Sequence, residues 1–461
     1  MKAGPPNRKA PVATGLDRRL HRSYRQFHAL REWLRRHVTP TGALVFWLMV
    51  AAASFTDVGQ TTTHQLLSLL LALSLGSVAL VFRRAPHLQA DRHAPRHATA
   101  GTPMAYQVRL TNPHRRWVRG VEYQDCLPDP RPSVDEFAAF EEPGERQRNW
   151  FDRRYRFYRW QWLCHRNTRA RPTPLPVPDI PPGGSVEVHA ELLPLRRGRL
   201  TLPAADVIRV DPFGLIRRPK RIQANPVSVI IFPKRFRLPP APLPGQFRQL
   251  QSGGVALAGP VGESEEFVSV REYRPGDPLR RLHWAGWART QKPVVKEFQE
   301  EFFVRHALVL DTFGTGPEAD AFEDAVSLAA SFACTIDQSE SLLDLVFVGA
   351  RAYVFTAGRG VAHSAQLMEI LAGVELHPAD SPESIEALLV RHSAQISGCA
   401  LILLHWDEAR QRILQRLRDR GVPVIAIIVR SEPRPADLVL PPRTYWVEAG
   451  KVEAQLPKDE L

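Results

Sequence analysis

The densest run of side chains able to do chemistry lies between Gly262 and Phe298 of the 461-residue chain. Arg271, Arg274, Arg280, Arg281 and Arg289 bring five guanidinium groups near Glu263, Glu265, Glu266 and Glu272. Guanidinium forks match carboxylate or phosphate oxygens two at a time, so the run admits two readings. Either the forks close on the neighbouring glutamates and zip the segment internally, or they form a preorganised site for an anion or a partner's acidic tail. Pro275-Gly276 predicts a tight turn, with Gly276 supplying any positive φ. Asp277 can accept nearby backbone N–H groups as a turn or helix cap. Leu282, Trp284 and Trp287 supply apolar anchors. The candidate partner- or anion-binding residues are Arg271, Tyr273, Arg274, Gly276, Asp277, Arg280, Arg281, His283, Trp284 and Arg289.

Elsewhere the chemistry-bearing residues are sparse. Cys126, Cys164, Cys334 and Cys399 are scattered, with no CxxC pair and no Cys/His ligand spacing, which argues against a zinc site. Reduced thiols fit a cytosolic body, and a Cys126–Cys164 disulfide is the alternative for an exported region. Cys164-His165 lacks an orienting acid, so it is a weak nucleophile pair. No HExxH, P-loop or nucleophile elbow occurs. Arg153 to Trp162 interleaves arginines with Tyr155, Phe157, Tyr158 and Trp160. That alternation predicts a strand with one aromatic and one basic face, with stacking on single-stranded nucleic acid as the alternative.

The block Arg271-Glu272-Tyr273-Arg274-Pro275-Gly276-Asp277, followed by Arg280-Arg281-Leu282-His283-Trp284, Ala288-Arg289 and Val295-Lys296-Glu297-Phe298, resembles the bacterial domain-of-unknown-function 58 family. Arg197-Gly198-Arg199, Asp211-Pro212-Phe213-Gly214-Leu215 and an N-terminal apolar helix pair resemble its members too, so the likeness covers most of residues 40–310. The resemblance implies a membrane-anchored protein of undefined biochemical activity, often encoded beside MoxR-type AAA+ ATPases and membrane transglutaminase-like proteins. It also implies a C-terminal von Willebrand factor A-like domain. There the first strand would end in Asp-x-Ser-x-Ser, whose oxygens hold Mg²⁺ with a later acid. Here the run is Asp311-Thr312-Phe313-Gly314-Thr315. Asp311 and Thr315 match, Asp407 can be the later acid, and Phe313 cannot ligate, so the implied metal site is degenerate. The other reading has Asp311 and Asp407 capping the helices that follow them. No cofactor is expected, and Mg²⁺ is the one candidate ion.

Elements must position these residues. Val38 to Thr56 carries no charge, and Leu66 to Phe82 adds 17 uncharged, Leu-dominated residues. The two runs predict a transmembrane helical hairpin over residues 38–83, with helices at about 40–58 and 65–83. It follows a basic cytoplasmic segment at residues 1–37. Residues 99–235 alternate apolar and polar positions between turn signals, as in Tyr106 to Leu110 and Val227 to Phe232, which predicts a β-rich, sandwich-like domain. Phe213 and Leu215 are expected to plug a domain junction. After the motif segment, residues 236–301, strands and helices alternate through residues 302–455. That predicts a doubly wound α/β domain, in which ligands bind beyond the carboxyl ends of the strands. Asp311 and Asp407 fall there. The chain thus reads as multidomain.

Of 61 basic residues 53 are Arg, and the net charge is +13. The charge is segregated: residues 1–98 carry +10, 99–235 another +10, and 236–461 carry −7. Basic flanks around a non-basic turn put both termini in the cytoplasm of a bacterial inner membrane. The final Lys458-Asp459-Glu460-Leu461 spells an endoplasmic-reticulum retrieval signal, which that topology leaves without a lumenal terminus. The mildly acidic distal domain argues against nucleic acid and for protein partners. The expected function is a membrane-tethered interaction or scaffold protein, not an enzyme. It would work with a MoxR-type AAA+ ATPase in envelope or complex-assembly processes, with a transglutaminase-like membrane protein as a further partner. The alternatives are a cation-dependent enzyme using Asp311 and Asp407, or a lipid-headgroup or nucleic-acid binder.

Overall fold

Thr14 and Asp17 start the first helix with a reciprocal capping box: the Thr14 hydroxyl accepts from the Asp17 amide, and the Asp17 carboxylate accepts from the Thr14 amide. The computed structural model describes residues 14–54, 61–81, 87–238, 267–277, 279, 282–298, 305–314, 318–336, 342–348, 352–357, 361–377, 385–387, 389 and 396–456. The chain divides into two compact units, the first built on residues up to Arg235 and the second on most of the remainder.

In the first unit, α1 (Gly15–His37) is followed by α2 (Pro40–Ser54) and α3 (Thr61–Val81). The apolar runs do form two helices that pack side by side, with the Ser74 hydroxyl 3.8 Å from the Met49 sulfur. The described part of α2, 15 residues, covers roughly 22 Å at 1.5 Å per residue, against a hydrocarbon core of about 30 Å. Within α3, Thr62–Val81 is long and apolar enough to cross a membrane. The second helix begins by Thr61, earlier than residue 65, and takes in His64. Residues 55–60, 82 and 83 of the expected hairpin lie outside the described residues.

A β-rich body follows. Its strands are β1 (Gln89–His93), β2 (His97–Thr99), β3 (Met104–Thr111), β4 (Val121–Cys126), β5 (Ala170–Pro172) and β6 (Leu175–Val177). Then come β7 (Ser185–Pro194), β8 (Gly198–Leu202), β9 (Ala204–Val210), β10 (Arg217–Ala224) and β11 (Val227–Phe232). Eight of them form one sheet in the order β5-β7-β3-β1-β10-β9-β4-β6, and β2-β11-β8 form a second. Along β3, Met104, Tyr106, Val108 and Leu110 point inward while their neighbours face solvent, the period of two that a half-buried strand requires. Side chains of both sheets share one core. One ionic knot crosses it: Arg92 donates to Asp125 at 2.7 Å, and the Tyr106 and Tyr123 hydroxyls donate to the same carboxylate.

The basic-aromatic run is not a strand. It forms α5 (Trp150–Tyr155) and α6 (Phe157–Asn167), which with α4 (Val134–Ala139) make a helical insert between β4 and β5. Arg156, at φ 52°, breaks the two helices apart. Trp160, Leu163 and Cys164 recur at i, i+3 and i+4 and pack with Phe137, so the aromatic spacing fits a helical face better than an alternating strand. The Cys126, Cys164, Cys334 and Cys399 thiols are all free.

The second unit opens on a hairpin, β12 (Phe267–Glu272) and β13 (Val294–Phe298), with α7 (Trp284–Thr290) in the excursion between them. The α/β body comprises β14 (Arg305–Leu310), α8 (Ala319–Ile336), β15 (Leu342–Val348), β16 (Ala352–Ala357), α9 (Val361–Gly373) and β17 (Gly398–Leu403). It ends with the helix Glu408–Asp419, β18 (Val424–Arg430) and β19 (Thr444–Glu448). The six strands run β16-β15-β14-β17-β18-β19, all parallel except the β15–β16 pair. β17 is buried at all six positions, as a strand covered on both faces must be. The alternating pattern also predicts a helix over residues 381–395, most of which lie outside the described ones.

Candidate functional site

The motif between β12 and β13 is a scaffolded excursion. Arg271, on β12, forks onto Asp277 with bonds of 2.7 and 2.8 Å. The other input to Asp277 is the Arg274 amide at 2.9 Å, which closes the Pro275-Gly276 turn, with Gly276 at φ 110°. The Arg271 fork and the Arg274 amide together pull the Asp277 carboxyl down to about 2, so it stays ionised and the turn stays closed at ordinary pH. Arg271 thus closes on Asp277 within the segment. Glu263, Glu265 and Glu266 lie outside the described residues, as do Arg280 and Arg281.

The chain then re-enters the hairpin. Leu282 is buried and bridges Val295, and the His283 amide donates to the Val294 carbonyl at 2.9 Å. His283 caps α7, its Nδ1 accepting from the Gly286 amide at 3.1 Å. Gly286 is required by space: a Cβ there would stand 2.6 Å from the His283 ring and 2.7 Å from Val294. With the helix pinned, Trp284 and Trp287 stack at 5.5 Å with planes 20° apart. Trp284 is 68% exposed and Leu279 is 69% exposed. Arg274 and Arg289 also face solvent, and Tyr273 is half-buried. The excursion therefore presents an exposed aromatic platform, and it carries exposed arginines as well. Trp, Tyr and Arg are the residue types that dominate binding hot spots.

The second cluster sits at the carboxyl ends of β14 and β17, where the strand order reverses. That switch point is where ligands bind in open α/β sheets. Asp311 is wholly buried there. Its carboxylate accepts from the Phe313 amide at 3.1 Å, the Leu404 amide at 3.2 Å and Arg410 Nε at 2.7 Å. Asp407 caps the helix Glu408–Asp419 by accepting from the Arg410 amide at 2.9 Å, and it also receives the Arg410 guanidinium. Burial pushes the Asp407 carboxyl up, but the Arg410 amide and guanidinium outweigh it and hold the carboxyl below its ordinary value. Arg410 itself is almost completely buried.

The two acids that sequence places at a metal site are thus brought together, but through an arginine that sequence reasoning missed. Asp407 does cap the helix after it, whereas Asp311 reaches sideways to β17 and Arg410. Thr315 lies outside the described residues. Phe313 is part of the α/β core. Among the described residues no group of three or more His, Cys, Asp or Glu is placed to hold a metal ion. A divalent cation between Asp311 and Asp407 would have to displace the guanidinium, so the donor set as arranged does not fit Mg²⁺.

Residues 269–441 match the family described as "Protein of unknown function DUF58". The chain is also similar to the uncharacterized protein YeaD of Bacillus subtilis (strain 168), at 30% identity over 132 residues, which is 28% of this chain and 32% of that protein. The match thus spans about a third of that relative's length. Among solved structures, a red sea bream transglutaminase aligns at 16% identity over 32% of this chain and 15% of its own, with a TM-score of 0.17. The CARDB domain of PF1109 from Pyrococcus furiosus aligns at 9% identity over 32% of this chain and 97% of its own, with a TM-score of 0.16. At such scores neither likeness informs fold or activity.

Proposed function

We propose that the chain is a membrane-anchored interaction protein that scaffolds a MoxR-type AAA+ ATPase in envelope or complex assembly. In this reading α2 and α3 form a two-pass hairpin in the bacterial inner membrane, with both termini cytoplasmic. A membrane transglutaminase-like protein is a further candidate partner. Leu66, Leu69, Leu71 and Leu75 on α3 and Leu44, Phe46, Trp47 and Leu48 on α2 are all exposed, which suits lipid contact and not a core helix pair. The α/β body, with sheet order β16-β15-β14-β17-β18-β19 and one antiparallel edge pair, suits a von Willebrand A-like domain. The proposal assigns the chain no reaction and no cofactor.

The observation that carries the interaction reading is the stacked, solvent-exposed Trp284–Trp287 platform on α7. A large aromatic surface left in solvent costs free energy unless a partner covers it. Exposed arginines of the same excursion, Arg274 and Arg289, suit a partner face bearing carboxylates. The test is affinity purification of the full chain from native membranes with mass spectrometry. A MoxR-type ATPase is expected with the wild type. Trp284→Ala, Trp287→Ala and Arg274→Ala should each cost about 2 kcal/mol, roughly thirtyfold in affinity. Lys292→Ala, at the exposed rim, should leave recovery unchanged. Undiminished recovery in the tryptophan variants would remove the platform from the interface.

A further inference from the structure

We propose that α1 is an interfacial helix whose outer face binds the anionic surface of the bilayer beside the membrane-entering helices. The proposal rests on the membrane reading of α2 and α3 and adds a lipid-binding surface to it. The inner face of α1 is accounted for by protein. Asp17 and His21 are buried, His21 Nε2 lies 2.9 Å from the Pro132 carbonyl, and the Tyr24 hydroxyl donates to the Tyr155 carbonyl at 2.7 Å. The outer face is different. Phe27, Leu30 and Leu34 recur at i, i+3 and i+7 with Trp33 beside them, and all four are exposed. At 100° per residue these four span an arc of roughly 120°. Exposed arginines flank it, Arg22 and Arg25 on one edge and Arg31 on the other. An apolar stripe with Trp, Phe and Leu between rows of Arg is the pattern of a helix lying in a lipid headgroup layer.

The anchoring of α1 places this stripe at the membrane's edge. Thr39, between α1 and α2, donates its amide to the Leu215 carbonyl at 3.1 Å and its hydroxyl to the Gly214 carbonyl. Gly42 packs so closely on that turn that a Cβ would stand 2.1 Å from the Leu215 carbonyl oxygen. The end of α3 is tied to the same strand pair, Arg218 donating to the Val81 carbonyl at 3.3 Å. Asp211 holds the turn by accepting from the Phe213 and Ile216 amides. So the turn Asp211 to Leu215 sits at the base of both apolar helices. Its Leu215 side chain is buried, while that of Phe213 is about half exposed. Trp33 lies four residues, about 6 Å of helix, before the end of α1 at His37, and only Val38 and Thr39 separate that end from α2. A headgroup layer is roughly 5–8 Å deep on each side, so Trp33 and Leu34 reach it from this anchor. Phe27 and Leu30 reach it when α1 lies along the surface, which is the orientation proposed.

A second copy of the chain is the competing occupant. Isologous pairing of two such stripes would set arginine rows against each other, whereas phosphatidylserine headgroups neutralise them.

The full chain is reconstituted in nanodiscs of phosphatidylcholine, with or without phosphatidylserine, using acyl-brominated lipids as quenchers. The difference in fluorescence between wild type and Trp33→Phe isolates Trp33 from the other tryptophans. The Trp33 component is expected to lose most of its intensity to brominated lipid, more so with phosphatidylserine. That extra loss should vanish in the triple variant Arg22→Gln, Arg25→Gln, Arg31→Gln. A Trp33 component untouched by brominated lipid overturns the proposal. So does a Leu30→Cys disulfide forming between copies, which assigns the stripe to a second chain. Carbonate extraction separates the two levels: release of the chain from membranes sinks the membrane reading and this proposal with it, whereas retention with an unquenched Trp33 sinks this proposal alone.

Discussion

His306 lies on β14 with its imidazole buried, and among the described residues neither ring nitrogen has a hydrogen-bond partner. Burial pushes this imidazole from its ordinary 6.5 down to about 4. The group is therefore neutral in the fold, while the unfolded chain takes up a proton below about pH 6.5. Because the unfolded state binds more protons in that window, stability falls as pH drops from 6.5 towards 4, by about 1.4 kcal/mol per pH unit at most, and levels off below it. Urea midpoints of the wild type should show this slope, and His306→Leu should flatten it between those limits. A variant with the full wild-type slope would place the acid sensitivity in other groups. Nothing in the sequence marked His306, because a lone histidine in an apolar run carries no sign of its partners. The Pro275-Gly276 turn and the Asp277 cap were legible, since each follows from the conformational or hydrogen-bonding bias of the residue itself.

At the scale of elements, the apolar runs Ala307–Leu310, Leu343–Val348, Ala400–Leu404 and Val422–Val429 locate β14, β15, β17 and β18 to within two residues at each end, because strands buried on both faces read as continuous apolar runs. The run Arg153–Trp162 misled, since alternation over so few residues satisfies both periods until the partner Phe137 is known. Arg410 is the instructive omission. It stands in the first turn of the helix Glu408–Asp419, where the helix dipole disfavours a cation. That local misfit was a readable sign that a buried carboxylate awaited it. The resulting bond ties the end of β14, the end of β17 and this helix into one joint. Arg410→Met should cost about 3–5 kcal/mol, because it strands the Asp311 charge in the interior. The double variant Asp311→Leu, Arg410→Met should recover much of that loss, since a well-packed apolar pair can replace a buried ion pair. Chemical denaturation of the full chain in detergent measures both, monitored through the α/β unit. Mg²⁺ should leave the wild-type midpoint in place, as the guanidinium already occupies the space between the two carboxylates. A Mg²⁺-dependent rise would show that the ion can displace Arg410.

On the scale of the whole molecule, charge separates along the chain: +10 over residues 1–98, +10 over 99–235 and −7 over 236–461. The sequence made this visible at once, but it did not show what holds the basic half to the apolar helices. That tie is backbone carbonyls of the Gly214-Leu215 turn and Val81, which any residue type supplies. The membrane reading makes a directional claim from the same charges. Two basic flanks, each resisting transfer across the bilayer, leave the segment between α2 and α3 as the translocated one. Single cysteines placed by Val58→Cys, Arg18→Cys and Glu453→Cys test it in intact cells. A membrane-impermeant maleimide should label position 58 from outside and reach positions 18 and 453 only after permeabilisation. Labelling of all three after permeabilisation alone would make the pair a re-entrant or surface-lying hairpin. Labelling of positions 18 and 453 on opposite sides would instead leave α3 as a single crossing, and α1 and the β-rich body would then face opposite compartments. The bonds from Thr39 to Leu215 forbid that arrangement within one folded unit, so the two-pass and re-entrant outcomes are the ones the fold permits.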